Sequence, residues 1–302
     1  MTQQTQMVAA TGNKPMQVMK GILDAESVRS QFGNALGKHR DTFIASIIDL
    51  YSGDKALQAC EPAEVVKQAL KAAVLKLPIN KALGFSYIVV YNNNVKNPDG
   101  TWTKVPTPTF ITGYKGLIQL AMRTGQYRTI NADVVFEGEI GKVDKLSGAI
   151  TFDGQKKSDK VIGYFAHFEL LNGFKKTLYM SVEDMAEYAK RYSPSIPRNV
   201  SVQDLIAKAT SGEVGKQVGW MGNFNDMAMK TCVRRLLGKY GYLSVEMQGA
   251  MAEEIESEAA ATRNDTIAAE ANTEEVVLDD VQFSDVDSQP AATDEPEPMP
   301  EY

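Results

Sequence analysis

The chain has 302 residues and a formal net charge of −6, but that average hides a split. Residues 248–302 hold sixteen acids and one base, Arg263, which leaves a surplus of +9 on residues 1–247. A basic body with an acidic tail points to a polyanionic partner. The two cysteines, Cys60 and Cys232, are too far apart and too few for a disulfide or zinc scaffold, as expected of a reduced cytoplasmic protein. No apolar run is long enough to span a membrane, and the polar opening segment lacks a hydrophobic signal core.

In chain order, residues 1–23 read as a flexible N-terminal arm containing Gly12 and Pro15. A weakly amphipathic helix is expected over 24–38. Asp41 then caps a better one, with Phe43, Ile44, Ile47, Ile48 and Tyr51 at helical spacing and Gly53 at its end. Pro62 suits the first position of the next helix, which turns Val65, Val66, Ala69, Leu70, Ala73 and Val74 inward and stops before Pro78. The period changes after Gly84. Residues 85–91 and 103–112 read as strands joined by a turn-rich loop, with Pro106 and Pro108 placing the second at an edge. A helix over 114–126 follows, then strands over 128–136, 148–153, 161–170 and 174–181, with Asn172-Gly173 as a hairpin turn. Ser181 caps a helix to Tyr192, with Asp184 three residues on. Short helices are expected over 202–210 and 213–218. The expected fold class is α+β: helices flanking a mostly antiparallel sheet over 24–247, with an acidic, largely disordered C-terminal tail over 248–302.

The most informative stretch is Trp220–Tyr242, read as one helix capped by Asn223 or Asn225, with Asp226 in its first turn and Gly241 at its end. Met229, Val233, Leu236 and Tyr240 form an apolar stripe. Lys230 and Arg234 are spaced by one turn along one flank, and Arg235 and Lys239 along the other. Such a helix docks on a core and faces a phosphate backbone with its cations; a surface helix with solvated charges is the plainer alternative. Further cations recur at Lys115, Arg123, Arg128, Lys175, Lys176, Lys190, Arg191, Arg198 and Lys216. They are interleaved with rings at Trp102, Tyr114, Tyr127, Tyr188, Tyr192, Trp220 and Phe224. Single-strand binders combine these two residue classes, although each ring alone is more often core packing.

Catalytic patterns are missing. GEVGKQ at 212–217 has the wrong glycine spacing for a phosphate loop and Gln217 where a magnesium-holding hydroxyl belongs. His39 and His167 are the only histidines, and His167 with Glu169 on one strand reads as a satisfied half-buried pair rather than a ligand pair. No acidic cluster or nucleophile elbow stands out.

Two segments carry a family resemblance. LGFSYIVVYNN (83–93) followed by TFITGYKGLIQLAMRTGQYRTINADVV (109–135) resembles the RecT family of phage and prophage single-strand annealing proteins. Trp220, Met227-Ala228, Lys230-Thr231 and Arg234-Arg235-Leu236 fit its W…MAxKTxxRRL pattern. The resemblance covers roughly 24–245; Thr124 stands where serine is frequent, and Lys115 keeps the charge where arginine is also seen. It implies ATP-independent binding of single-stranded DNA and annealing of complementary strands through an annealed duplex intermediate. It also implies a homo-oligomer (ring or filament) working beside a 5′→3′ exonuclease in a bacterial host cytoplasm. No cofactor is then required, with magnesium at most modulating DNA binding. On this basis a basic groove between the sheet and the 220–242 helix is expected to hold the strand, using Tyr114, Lys115, Arg123, Arg128, Lys190, Arg191, Lys216, Lys230, Arg234, Arg235 and Lys239. One of the paired arginines is alternatively structural. The acidic tail is either a solubilising segment or one that competes with DNA or recruits a host single-strand-binding protein. The functional alternative is a passive single-strand binder that protects without pairing; a nuclease or a scaffold fits less well.

Overall fold

The computed structural model describes residues 14–97, 99–193, 195–215, 217, 219–249 and 251–252. They build two hydrophobic cores joined along the chain. Five helices form the first lobe: α1 (Lys14–Asp24), α2 (Glu26–Leu36), α3 (Arg40–Gly53), α4 (Lys55–Gln58) and α5 (Pro62–Val74). Met19, Leu23, Phe32, Ile47, Tyr51, Val65 and Ala69 pack together there. Residues 14–23 thus belong to a packed helix, not to a loose arm: Met19 and Leu23, four apart, give it an apolar face. The break at Ala25 separates α1 from α2, and α2 is the helix expected over 24–38. A 3-10 turn (Gly37–His39) runs straight into α3, so Asp41 lies in its first turn and pairs with Arg29 at 2.8 Å instead of capping. The first turn of α4 is capped by Asp54, whose carboxylate accepts from the amides of Ala56 and Leu57. Pro62 opens α5 as expected, but Ala72 is buried and Val74 is 52% exposed.

Strands β1 (Ser86–Lys96) and β2 (Trp102–Thr112) pair antiparallel over their whole length in a two-stranded ribbon. The expected loop from 92 is therefore strand as far as Lys96. Pairing with a threonine-rich partner strand overrides the turn propensity of three consecutive asparagines. At the tip, Asn97 donates to the hydroxyls of Thr101 and Thr103. Pro106 and Pro108 are tolerated because each strand of a two-stranded ribbon is an edge. Alternation along the ribbon separates two environments: Ile88, opposite Phe110, faces the helical core, while Tyr87, Val89 and Ile111 face the other way.

The second lobe contains α6 (Tyr114–Arg123) and an antiparallel sheet of order β3 (Tyr127–Phe136), β6 (Val161–Leu170), β7 (Lys175–Ser181). Between β3 and β6, the expected 148–153 strand shrinks to a two-residue ladder, β4 (Val143–Asp144) with β5 (Ala149–Ile150). Then come α7 (Val182–Tyr192), α8 (Val202–Ser211), a 3-10 turn (Gly219–Met221) and α9 (Phe224–Tyr240). Ser181 caps α7 by accepting from the Asp184 amide, and Ser201 with Asp204 makes a full capping box on α8. Gly212, left-handed at φ 63°, ends α8, and residues 213–215 are not helical as expected. The fold is α+β with antiparallel pairing throughout the described sheets. Residues 245–249 and 251–252 are helical, and Met247 and Met251 are buried in the second core. The expected character of the rest of the tail lies outside the described residues.

Candidate nucleic-acid interface

The α9 helix is the axis of the second lobe. Asn223 caps it by accepting from the Asp226 amide, and Gly241 ends it. Trp220 precedes it as a staple, edge-on to Phe224 at 5.0 Å. The helix touches α6 on one side and β6, β3 and β7 on another, with α8 nearby. Its burial therefore runs almost all round, beyond the expected stripe, and includes Lys230 (9% exposed) and Arg234 (6%). Arg234 donates from Nη2 to the Tyr188 hydroxyl at 3.0 Å. Burying two cations requires partners, and both are engaged within the protein. The expectation that Lys230 and Arg234 form an open cationic flank is corrected on this point.

The two motif segments meet physically. Gly113, just before α6, and Gly116 in its first turn lie against the backbone before β1. An added Cβ would fall 2.2 Å from the Gly84 carbonyl oxygen and 2.1 Å from that of Phe85. Only glycine allows this approach, and the Gly113 amide donates to Phe85 O at 2.9 Å. Beside this junction, and against the start of α9, a cleft of about 320 Å³ opens. Its walls include Tyr87, Tyr114, Lys81, Lys230 and Asp226, together with the backbones of Gly215, Gly219 and Gly222. Lys115, fully on the surface of α6, lies close enough to Asp226 to act on its charge. Burial pushes the Asp226 carboxyl above its ordinary range, while Lys115 pulls the other way. Burial, with the Asp226 charge adding to it, raises both Tyr87 and Tyr114. Lys81 is tethered at the rim by Asp54 at 2.5 Å. Lys230 and Met227 also line a small hollow of about 20 Å³ beneath Tyr188 and Tyr192.

From that hollow an alternating strip of cations and rings runs over α7, α9 and β7. The Arg191 guanidinium lies 5.3 Å from the Tyr192 ring, which packs 4.8 Å from Tyr188. Arg235 sits 5.1 Å from Tyr188 and reaches the Met180 sulfur at 3.4 Å. One turn on, Lys239 lies 5.1 Å from the Tyr240 ring, with Lys176 at 5.4 Å from the same ring and held by the Ser147 carbonyl. Arg191, Arg235 and Lys239 are exposed, and so in part are Tyr192 and Tyr240.

The other expected residues divide differently. Arg123 donates to the carbonyls of Leu75 (2.7 Å) and Lys76 (2.8 Å), closing the end of α5. Lys190 donates to the carbonyls of Pro197 and Arg198 and holds the loop before α8. Arg128 pairs with Glu169 at 3.1 Å, at the sheet end where β7 begins with Lys175 and Lys176. Lys216 lies outside the described residues. Of the expected stacking rings, Tyr127, Trp220 and Phe224 are buried and unavailable, whereas Trp102 at the ribbon end is 66% exposed. His167 bonds Thr177 at 2.8 Å, and among the described residues no three potential ligands gather for a metal. Sequence reasoning missed Lys81, Tyr87 and Asp226 as neighbours. Period two along β1 carries the signal for Tyr87; nothing in the sequence brings Lys81 to the cleft.

Cations and rings thus face outward from an α+β body. The RecT family model matches residues 41–272, and the chain belongs to the RecT family. Its relatives include the uncharacterised protein YqaK of Bacillus subtilis (strain 168), 38% identical over 290 residues, covering 94% of this chain and 86% of that protein. They also include Protein RecT of Escherichia coli (strain K12), 26% identical over 237 residues, covering 76% of this chain and 77% of that one. Membership places the chain among phage-type single-strand annealing proteins of DNA recombination. No helix among the described residues is long and apolar enough to cross a membrane.

Proposed function

We propose that this protein anneals complementary DNA strands without ATP, holding single-stranded DNA on a basic surface of a homo-oligomeric ring or filament. The observation that carries the reading is the strip from Arg191 through Tyr192, Tyr188, Arg235, Lys239 and Tyr240 to Lys176. Cations at this spacing neutralise phosphates, and rings between them stack bases of any sequence. The forming duplex itself supplies the driving force, about 1–2 kcal/mol per base-pair step, so no nucleotide hydrolysis is needed. The protein has only to screen phosphate repulsion and leave pairing edges free, with base pairing supplying the specificity. Lys115 and Tyr114 at the cleft extend the surface towards the ribbon.

Magnesium acts as a modulator through phosphate screening, not as a required cofactor. A 5′→3′ exonuclease exposes the strand, and the acidic tail contacts a host single-strand-binding protein. The strip is tested by salt titration of single-strand affinity. Each lost phosphate contact lowers the slope of log K against log salt by about 0.7. Arg235→Ala with Lys239→Ala should flatten it by about twice that amount while the fold persists. An unchanged slope in a folded double variant would remove the strip from the interface.

A further inference from the structure

We propose that the cleft between the ribbon base, the start of α6 and the start of α9 seats a single nucleobase, with the Asp226 carboxylate accepting hydrogen bonds from its pairing edge. The proposal rests on the single-strand-binding reading and adds a base-selective pocket to it.

The charge layout is the first argument. A carboxylate in a site meant only for phosphate opposes binding, yet Asp226 is half-buried there beside Lys81 and Lys230 and near Lys115. A purely cationic ligand is equally unsuited, because those lysines would repel it. A nucleotide satisfies both ends: its phosphate lies towards the exposed Lys81 and Lys115 at the rim, and N–H groups on its base lie towards the carboxylate.

Shape is the second argument. Tyr87 and Tyr114 supply ring surfaces, Val89, Ile111 and Met227 an apolar lining, and glycine backbones the remaining wall. At Gly215 an added Cβ would meet nothing closer than 3.6 Å. The Gly215 amide is fixed to the Gly222 carbonyl at 2.7 Å, which holds the two glycine segments together. Aromatic and apolar walls with one hydrogen-bonding edge are how proteins receive an unstacked base. The Asp226 amide is already satisfied by the Asn223 cap, so its side chain is not consumed in capping the helix.

The chemistry predicts a preference. Guanine presents two donors, N1–H and the N2 amino group, to one carboxylate. Adenine and cytosine present an amino group alone, and thymine only its N3–H. A seated base is withdrawn from stacking, which fixes the register of the strand on each protomer while its neighbours keep their edges free.

The test measures affinity of the full-length protein for oligo-dT strands carrying interspersed dG, interspersed deoxyinosine (which keeps N1–H and lacks the amino group), or neither. The wild type should bind the dG strand about tenfold more tightly than plain oligo-dT, the value of one good bidentate base contact, with deoxyinosine between them. Asp226→Asn should lose the dG preference. Equal wild-type binding to all three strands overturns the pocket and leaves the single-strand reading intact. A dG preference that survives in Asp226→Asn overturns the assignment to Asp226. Failure to bind any strand removes the single-strand reading, and the pocket with it.

Discussion

Arg123 and Asp54 show how a charge that reads as a DNA contact or as nothing at all becomes structural once its neighbours are placed. The Arg123 guanidinium satisfies two carbonyls at the end of α5, Leu75 O and Lys76 O, 47 and 48 residues away in sequence. Arg123→Ala should cost about 1–2 kcal/mol in urea unfolding, the charge-assisted hydrogen bonds being discounted for their partial exposure. It should leave the salt slope of DNA binding unchanged. Asp54 caps α4 and holds Lys81 at the cleft rim. Burial by itself would raise its pKa, but the Lys81 ammonium and the Ala56 and Leu57 amides outweigh it, and the carboxyl lies below its ordinary range. The group is thus more acidic folded than unfolded. Its contribution is present above the unfolded carboxylate pKa of about 3.9 and is lost as pH falls through the lower folded value. Asp54→Asn keeps a good cap and removes the charge, so its stability deficit at neutral pH should shrink as the pH falls below about 3.9. Asp54→Ala should lose about 1 kcal/mol more at neutral pH. Thermal melts at neutral pH and below about pH 3.9 check both. The Asp54 cap is local, but neither the Arg123 contacts nor the Asp54–Lys81 pair could be read from spacing, because those partners are distant in sequence.

At the scale of elements, α9 was legible as a helix from its spacing, its asparagine cap and its closing glycine. The ambiguity lay in its flanks. Lys230 with Arg234, and Arg235 with Lys239, have identical one-turn spacing, and only the packing of α7 and the 3-10 turn decides that the first pair is covered. Arg235 and Lys239 face the rings of Tyr188 and Tyr240. Removing a ring should be felt as lost stacking: Tyr192→Ala should weaken single-strand affinity by about 1–3 kcal/mol with the salt slope retained. That separates it from Arg235→Ala, in which the slope itself falls. Fluorescence anisotropy over a salt series distinguishes the two. The ribbon was legible as two strands but not in its length, because the asparagine run that extends it is stabilised by cross-strand partners at 102–107 rather than by its own propensity.

Across the whole molecule, two cores share the chain, and Phe110 on the ribbon packs against both. The family motifs supplied the order of the central elements, while α1 escaped notice because only Met19 and Leu23 mark its buried side. The second core ends with Met247 and Met251. Truncation after residue 252 should therefore keep the melting temperature. Truncation after 244 should lower stability by about 2–5 kcal/mol, the range for emptying a buried methionine site. The longer form lacks all sixteen tail acids and should bind single-stranded DNA more tightly at low salt, where their charge is least screened. Annealing itself is read by mixing two complementary labelled oligonucleotides, added one after the other without ATP. The expected result is faster pairing than in buffer and a complex containing protein and both strands. Binding of the first strand with pairing slowed would contradict it and identify a passive single-strand binder.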